Sequence, residues 1–347
     1  MASQYTHWTW ITTDVNTPDD EWKRRFDVMK RAGIDAILPE VVGNSSAAYA
    51  SRHLPVSGHW LEQILPLARE AGLEVHAWIH CMPCTAPQIV KAHPQWYVVN
   101  GKGESAAVHP AYVEHYKFLC PTQDEVQRFV RQRVVELAEY DGLTSIHLDY
   151  IRFPDVILAE ALQPRYGIVQ DREYPEYDYC YCPACRRVFE EQAGVDPLSL
   201  DDPSANAAWR EFRHERINNI VMNVLAPAAR EKGKLVTAAV FPNWWNVRQQ
   251  WFRWGLNAVL PMLYHNFYGG DIDWIEEQCR AGADLLAGTC PLYSGLFVPS
   301  LTPDELPAAV EASLRGGAAG VSLFAAASMS DDHWKRFAEV NRSIGAL

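Results

Sequence analysis

The sequence has little of several features that mark other classes of protein. Its 347 residues carry 31 Lys and Arg against 43 Asp and Glu, a formal net charge of −12. This shortage of positive charge argues against binding to nucleic acid or to an anionic membrane surface. No apolar run approaches the roughly 20 residues that a membrane-spanning helix needs. We therefore expect neither a nucleic-acid nor a membrane partner.

Two recognisable sequence signals are also missing. The first residues show no basic start, apolar stretch and cleavage site, as a signal peptide would. We expect a cytoplasmic protein as the sequence is written, and a secreted or periplasmic one if a signal peptide has been removed. No Gly-rich phosphate-binding turn follows the first predicted strand, which argues against an open doubly wound sheet.

What the chain does contain is a regular alternation of apolar runs with amphipathic stretches of helical period. Helices are predicted after each strand, for example over residues 18–32, 60–71, 124–140, 207–231 and 303–315. The eight predicted strands cover residues 5–11, 36–40, 74–80, 145–149, 235–241, 258–263, 285–289 and 320–324.

Glycines support a barrel, because glycine is the usual residue just past a helix end. Seven short turns joining eight strand–helix units predict a closed (β/α)8 TIM barrel that forms a single domain over residues 1–347. An open doubly wound sheet is the alternative. The glycines between a predicted helix and the next strand are Gly33, Gly72, Gly142, Gly233, Gly255, Gly282 and the pair Gly316–Gly317.

The strand-to-helix loops are much longer in two places. Loop 3 is predicted over residues 81–121, and loop 4 carries an insertion at about residues 153–206. In a parallel barrel these loops open on the carboxyl face, where active sites lie. The extra length therefore indicates a substrate cleft on that face.

Aromatic residues are abundant, with 13 Trp, 15 Tyr and 12 Phe. Many stand beside Pro, Asn, His or Gly in predicted loops. Exposed rings offer apolar platforms for the C–H faces of sugars. The alternative is that a large barrel packs these rings beneath its long loops.

Successive strand residues point to opposite sides, which separates the barrel interior from the helix-facing layer. This alternation places Trp78 and His80 of the third strand, and His147 and Asp149 of the fourth, inside the barrel. His80 and Asp149 lie nearest the rim and are candidates for function. His147 lies deeper, where a hydrogen-bonded structural layer is the alternative to its role as a candidate substrate contact.

Glu40 closes the second predicted strand and is the candidate partner of Asp149. Glycosidic cleavage needs two carboxyl groups, one that protonates the leaving oxygen and one that attacks the anomeric carbon or activates water. The alternative is that Glu40 pairs with Arg52 or Arg152.

Other strand-end residues are candidate sugar contacts, because amide, phenol and indole groups can recognise hydroxyls and ring faces. These are Asn243 after strand five, Tyr264 after strand six, and Trp10 and Trp78 on the inner wall. Arg152 is expected to neutralise a nearby carboxylate or to bind an acidic sugar.

The cysteines of the loop-4 insertion have spacing that suits a metal. Together with the closely spaced pair Cys81 and Cys84 of loop 3, Cys180, Cys182 and Cys185 could hold a structural zinc ion, with disulfides or free thiols as alternatives. No catalytic cofactor or metal is expected. His147 and Asp149, about 6.6 Å apart along a strand, are the remaining possible co-ligands for a metal-dependent hydrolase.

One segment resembles a known family. Residues 147–154, His-Leu-Asp-Tyr-Ile-Arg-Phe-Pro, are similar to the strand-four signature of the glycosyl-hydrolase-like family 10. Residues 71–78, 93–96, 120–122 and 182–186 resemble further family segments in the expected order. The resemblance spans roughly residues 5–265.

The resemblance implies a TIM-barrel glycosidase that acts on a poly- or oligosaccharide. Asp149 matches the family's strand-four carboxylate, and Glu40 falls where relatives carry a polar strand-two residue. A metal-dependent hydrolase and a carbohydrate-binding barrel without catalysis are the alternatives.

Overall fold

The computed structural model describes residues 5–345, and within them eight parallel strands form one sheet in the order β6-β5-β4-β3-β2-β1-β8-β7. The strands are β1 Trp8–Ile11, β2 Ala36–Val42, β3 Glu74–His80, β4 Ser145–Asp149, β5 Leu235–Val240, β6 Ala258–Pro261, β7 Tyr293–Phe297 and β8 Gly320–Phe324.

The two ends of this strand order meet, and the sheet closes into a barrel. Parallel bridges join Val259 to Leu292 and Met262 to Gly295, and the Leu263 N–H donates to the Gly295 carbonyl at 2.9 Å. A β-carbon on Gly295 would stand 2.7 Å from the Pro261 carbonyl oxygen. The strands can approach this closely because the residue has no side chain. The predicted (β/α)8 barrel is confirmed, and the open sheet is not observed.

Helices surround the barrel, and within residues 5–345 none is long and apolar enough to cross a membrane. The α-helices are α1 Asp19–Ala32, α2 Trp60–Glu70, α3 Pro87–Ala92, α4 Asp124–Ala138, α5 Pro183–Ala193, α6 Ala207–Asn219, α7 Ala226–Arg230, α8 Ile272–Leu286, α9 Leu306–Arg315 and α10 Asp331–Ser343. A π-helical stretch, Ile220–Leu225, connects α6 to α7, so the three segments form one continuous helix. Helices α3 and α5 belong to loops 3 and 4, both of which have the predicted length.

The seventh strand differs from the prediction. The apolar pair Leu285 and Leu286 ends helix α8, and the strand begins at Tyr293. Gly282 is likewise buried inside α8 and does not form a turn. Short apolar runs do not distinguish strand from helix by period alone. Here the pair continues a helix whose buried face already includes Ile275.

The fifth strand–helix unit also differs from the prediction, because no α-helix lies between β5 and β6 in the described residues. Two short 3₁₀ helices, Trp244–Val247 and Trp251–Arg253, connect β5 to β6. The connecting sequence is aromatic and polar without a helical period, so it cannot present one apolar face to the barrel. Aromatic rings such as Trp251 and Trp254 are buried here and take the place of a helix.

The barrel interior and the helix-facing layer form two separate apolar clusters, as the alternation predicts. Trp8, Trp10, Leu38 and Trp78 pack inside the barrel. Ile146 and Leu148 of β4 pack with the helices in the larger cluster. The inward positions that remain carry the polar groups described below.

Replacing Gly295 tests barrel closure. Gly295→Ala would press a methyl group against the backbone of β6, which cannot move without breaking the bridge to β7. We expect a loss of about 1–3 kcal/mol in the free energy of unfolding, measured by urea denaturation. Gly282→Ala is the matched control, because its methyl group would meet the flexible end of the Leu292 side chain. Equal losses in the two variants would contradict this account of closure.

Candidate active site

A pocket of about 410 Å³ opens at the carboxyl ends of the strands. Aromatic side chains form most of its wall, and two carboxylates face into it from β2 and β4, the strands on either side of β3. It brings together seven of the nine predicted site residues: Trp10, Glu40, Trp78, His80, Asp149, Arg152 and Tyr264.

Asp149 ends β4 and is held from two sides. The parallel register pairs His80 with Asp149 and Trp78 with His147, which sets the Trp78 indole beside the carboxylate. The indole N–H donates to Asp149 Oδ2 at 2.9 Å, and the Tyr150 backbone N–H donates to Oδ1 at 2.6 Å. Tyr150 adopts a left-handed conformation with φ of 49°, which is uncommon outside glycine. The carboxylate is therefore fixed in one orientation.

Burial has the largest effect on the pKa of the Asp149 carboxyl group. The residue is 6% exposed, and desolvation raises the pKa of its carboxyl from 3.8 to about 6. The hydrogen bonds from Tyr150 and Trp78 oppose this rise, because they favour the charged form. Asp149 thus exchanges its proton near neutral pH, as a general acid or base must.

Glu40 lies beside Asp149 across the end of β2. Its register partner is Trp78, and an extra residue then intervenes before Val42 pairs with Ile79, which is a β-bulge. The Glu40 carbonyl accepts a bond of 2.6 Å from the Thr13 hydroxyl. Burial, and to a smaller degree the charge of Asp149, raises the pKa of the Glu40 carboxyl. The strand alternation that places Ala36 and Leu38 inside the barrel also directs Glu40, a second perturbed carboxyl group, into the pocket.

The arginine pairings considered for Glu40 are not observed, because both arginines have other partners. Arg52 pairs with Glu136 and Glu139, and Arg152 pairs with Asp155 at 3.0 Å. No arginine therefore neutralises Glu40 in the described structure.

His80 is the polar neighbour of Glu40. Its Nε2 lies 3.7 Å from Glu40 Oε1, and its Nδ1 lies 2.8 Å from the Asn44 amide oxygen. Burial lowers the pKa of this imidazole to about 3, so the ring is neutral near pH 7. His80 can hydrogen-bond a hydroxyl, but it contributes no positive charge to the pocket.

Two predicted site residues do not line the pocket. His147 is fully buried below it, with Nδ1 2.9 Å from the Thr237 hydroxyl, next to a bond of 2.6 Å between His76 and Ser145. This is the structural layer that the sequence offered as the alternative. Asn243 directly precedes the 3₁₀ helix Trp244–Val247 after β5, and Phe241 reaches the pocket in its place. Neither His147 nor Asn243 is positioned to contact a ligand there.

The structure adds site residues that sequence reasoning missed. Tyr116 comes from loop 3 and Asp155 from loop 4. The only sequence signal for Asp155 is its place three residues after Arg152. The additional aromatic lining residues, which follow the strands or end them, are Tyr150, Phe241, Phe267, Tyr268, Phe297 and Phe324.

Arg152 joins loops 3 and 4. Its guanidinium pairs with Asp155, donates to the Tyr116 hydroxyl at 3.3 Å and lies 4.5 Å from the Phe241 ring centroid. Arg152 therefore neutralises Asp155, one of the two roles expected for it. Among the described residues that line the pocket, Arg152 is the only Lys or Arg, and its charge is already paired. The pocket consequently favours a neutral ligand over an acidic one.

The opposite wall is a cluster of aromatic rings. The Tyr264 ring lies 5.0 Å from Phe297 and 5.7 Å from Phe324. Phe297 stands at the end of β7 and Phe324 at the end of β8. These rings give an apolar face opposite the carboxylates, an arrangement suited to a sugar ring with polar edges.

One cluster in the described residues could hold a metal ion, and it lies outside the pocket. Cys120, Cys180, Cys182 and Cys185 have all four sulfur atoms within 4.8 Å of one another. Residues 5–345 contain no other group of three or more His, Cys, Asp or Glu side chains close enough to share an ion. His147 and Asp149 have no third such ligand beside them, so the donor set for a catalytic metal is incomplete there.

Solved structures with the same architecture are glycosidase barrels. The catalytic domain of a β-amylase from Paenibacillus polymyxa matches with a TM-score of 0.70 at 11% identity, covering 99% of both chains. The PgaB (BpsB) glycoside hydrolase domain from Bordetella bronchiseptica matches with a TM-score of 0.71 at 14% identity, covering 98% of both. The GH42 β-galactosidase Gan42B from G. stearothermophilus gives a TM-score of 0.67 at 11% identity, covering 99% of this chain and 57% of that one. At these identities the likeness establishes the fold alone, a TIM barrel.

The family assignment is more specific. The model of the family Glycosyl hydrolase-like 10 matches residues 9–280, and the chain belongs to this family. The resemblance seen in the strand-four segment is thereby confirmed. No curated protein sequence matches the chain.

The raised pKa of Asp149 predicts a pH-dependent stability. The folded protein holds this proton more tightly than the unfolded chain, so the stabilisation is complete below pH 3.8 and lost as pH rises through about 6. Asp149→Asn removes the titration. As pH increases from about 4 to about 8, the free energy of unfolding of the variant minus that of wild type should rise by up to about 3 kcal/mol. Urea denaturation at a series of pH values measures this difference. Parallel stability curves would contradict the assigned pKa.

Proposed function

We propose that this protein is a glycosidase that hydrolyses a glycosidic bond in a poly- or oligosaccharide. The observation that carries the proposal is the pair of carboxyl groups, buried Asp149 and partly buried Glu40, facing one aromatic-lined pocket at the carboxyl end of the barrel. Membership of a glycosyl hydrolase-like family supports it. The incomplete donor set beside Asp149 disfavours the metal-dependent alternative.

The environments of the two carboxyl groups suggest different roles. Asp149 has the pKa of about 6 and is the group that we assign as the proton donor to the leaving oxygen. Glu40, whose pKa is also raised but which is less buried, is assigned as the carboxylate that attacks the anomeric carbon or activates water. Neutral His80, near Glu40, would orient a sugar hydroxyl.

The pocket lining suggests the class of sugar. The rings of Tyr264, Phe297 and Phe324 would stack on the C–H face of a pyranose, and the fixed polar groups would bind its edge. Arg152 is already paired with Asp155, so no arginine or lysine is available in the pocket for a uronic acid. A neutral glycan is therefore the substrate class that we assign.

Substitution of the two carboxylates tests the function. Asp149→Asn and Glu40→Gln should each lower kcat on a polysaccharide by roughly 10²–10⁴-fold, the usual contribution of a positioned acid or base. The measurement is reducing-sugar release across a panel of neutral and acidic glycans. Glu74→Gln is the control, because Glu74 lies at the opposite end of β3, and its activity should be unchanged. Oligosaccharide binding without product release by wild type would instead indicate a binding protein.

Leaving-group dependence separates the two roles. An aryl glycoside with a nitrophenol leaving group departs without protonation, so Asp149→Asn should lose little of its bond-cleaving rate on this substrate. Glu40→Gln should lose activity on both substrates. The measurement is the rate of nitrophenol release by each variant. The opposite pattern would exchange the roles of the two residues.

The pH profile gives a third test. As proton donor, Asp149 is active in its protonated form, so kcat/KM on a polysaccharide should fall about tenfold per pH unit above about 6. Initial rates over a pH series measure this limb. A plateau extending well above pH 6 would contradict the assignment of Asp149 as the acid.

A further inference from the structure

Loops 3 and 4 are joined by a cluster of four buried thiols. Cys120 comes from the end of loop 3, while Cys180, Cys182 and Cys185 come from the loop-4 insertion. Each of the four is at most 1% exposed. The sequence spacing marks the three cysteines of loop 4 and also the pair Cys81 and Cys84, which does not belong to the cluster. Cys120 lies 60 residues before Cys180 and is brought to the cluster by the fold.

The sulfur positions suit a tetrahedral ion. Cys120 Sγ lies 3.4 Å from Cys185 Sγ and 3.6 Å from Cys182 Sγ, and all four lie within 4.8 Å of one another. A zinc ion with bonds of about 2.3 Å to four sulfurs in a regular tetrahedron separates them by about 3.8 Å. Only small side-chain movements would bring the four sulfurs to that geometry.

The surroundings provide hydrogen-bond donors to sulfur. The backbone N–H groups of Val99 and Cys182 each lie 3.4 Å from Cys180 Sγ. The Thr122 hydroxyl lies 3.0 Å from Cys185 Sγ. Donors of this kind stabilise thiolate charge and orient metal ligands. Neutral, buried thiols do not need such an arrangement.

Local structure positions the ligands before any ion binds. Cys182 caps helix α5, and Cys185 lies in its first turn, where the helix dipole favours negative charge. Bridges between Tyr97 and Leu119 and between Asn100 and Tyr179 hold the adjoining backbone segments together. The cluster is therefore preorganised by backbone pairing between the two loops.

We propose that Cys120, Cys180, Cys182 and Cys185 bind one structural zinc ion that joins loop 3 to loop 4. Zinc replaces the protons of the four thiols, so binding releases protons and no redox step is involved. Loop 3 also carries Tyr116, and loop 4 carries Arg152 and Asp155. The ion thus stabilises the two loops that form one side of the pocket. This inference does not depend on the proposed glycosidase activity.

Metal analysis of the purified full-length protein tests the site. We expect one zinc per chain, and its loss in Cys120→Ser and in Cys182→Ser. Cys279→Ser is the matched control, because Cys279 is equally buried but lies in helix α8, and it should retain zinc. A chain with no stoichiometric zinc, or equal zinc in Cys120→Ser and wild type, would overturn the proposal.

A second measurement on the unmutated chain does not depend on the variants folding. Cobalt exchanged into the site should give the visible absorption and sulfur-to-metal charge-transfer bands of a four-thiolate tetrahedral ion. Removal of zinc by a chelator should lower the Tm of the protein. A protease should then cleave loops 3 and 4 before it cleaves the barrel. The zinc proposal would also be overturned if these cysteines formed two disulfides. Four thiols would then be missing when free thiols are counted in the denatured, chelated protein.

Discussion

The parallel pairing of β3 with β4 is the constraint on which the rest of the site depends. It places His80 opposite Asp149 and Trp78 opposite His147, and the indole of Trp78 can then bond the Asp149 carboxylate. A shift of one residue would turn the inward side chains of either strand towards the helices. Because Glu40 is the register partner of Trp78, the same tryptophan stands between both carboxyl-bearing strands.

Burial, only partly opposed by a nearby cation, gives this site its chemistry. Desolvation raises the pKa of Asp149 and of Glu40, while it keeps His80 neutral. The charge of Arg152, which is paired with Asp155, lowers the pKa of Asp149, but its effect is smaller than that of burial. Two acids with raised proton affinity therefore face one pocket.

Much of the barrel could be predicted from local patterns, and the exceptions have identifiable causes. The inward positions of Trp78, His80 and Asp149 follow from strand alternation. Strand seven was misplaced because Leu285 and Leu286 form an apolar run that suits a helix end as well as a strand. The strand itself, Tyr293–Phe297, contains Gly295 and no β-branched residue, so its sequence lacks the apolar β-branched run by which the other strands are recognised. Gly295 is needed for the close approach that closes the barrel.

Some features of the candidate site could likewise be predicted from local sequence patterns, whereas others depend on contacts between distant segments. The strand-end carboxylates Glu40 and Asp149 and the cysteine spacing of loop 4 could be recognised in the sequence, because each depends on period or spacing within a few residues. Three features follow only from the folded structure: Arg152 pairs with Asp155 rather than Glu40, His147 lies beneath the pocket, and Cys120 joins the other three thiols. These outcomes depend on which loops meet above the barrel. Packing sets the distances between segments that are far apart in the chain, so local sequence patterns do not predict them.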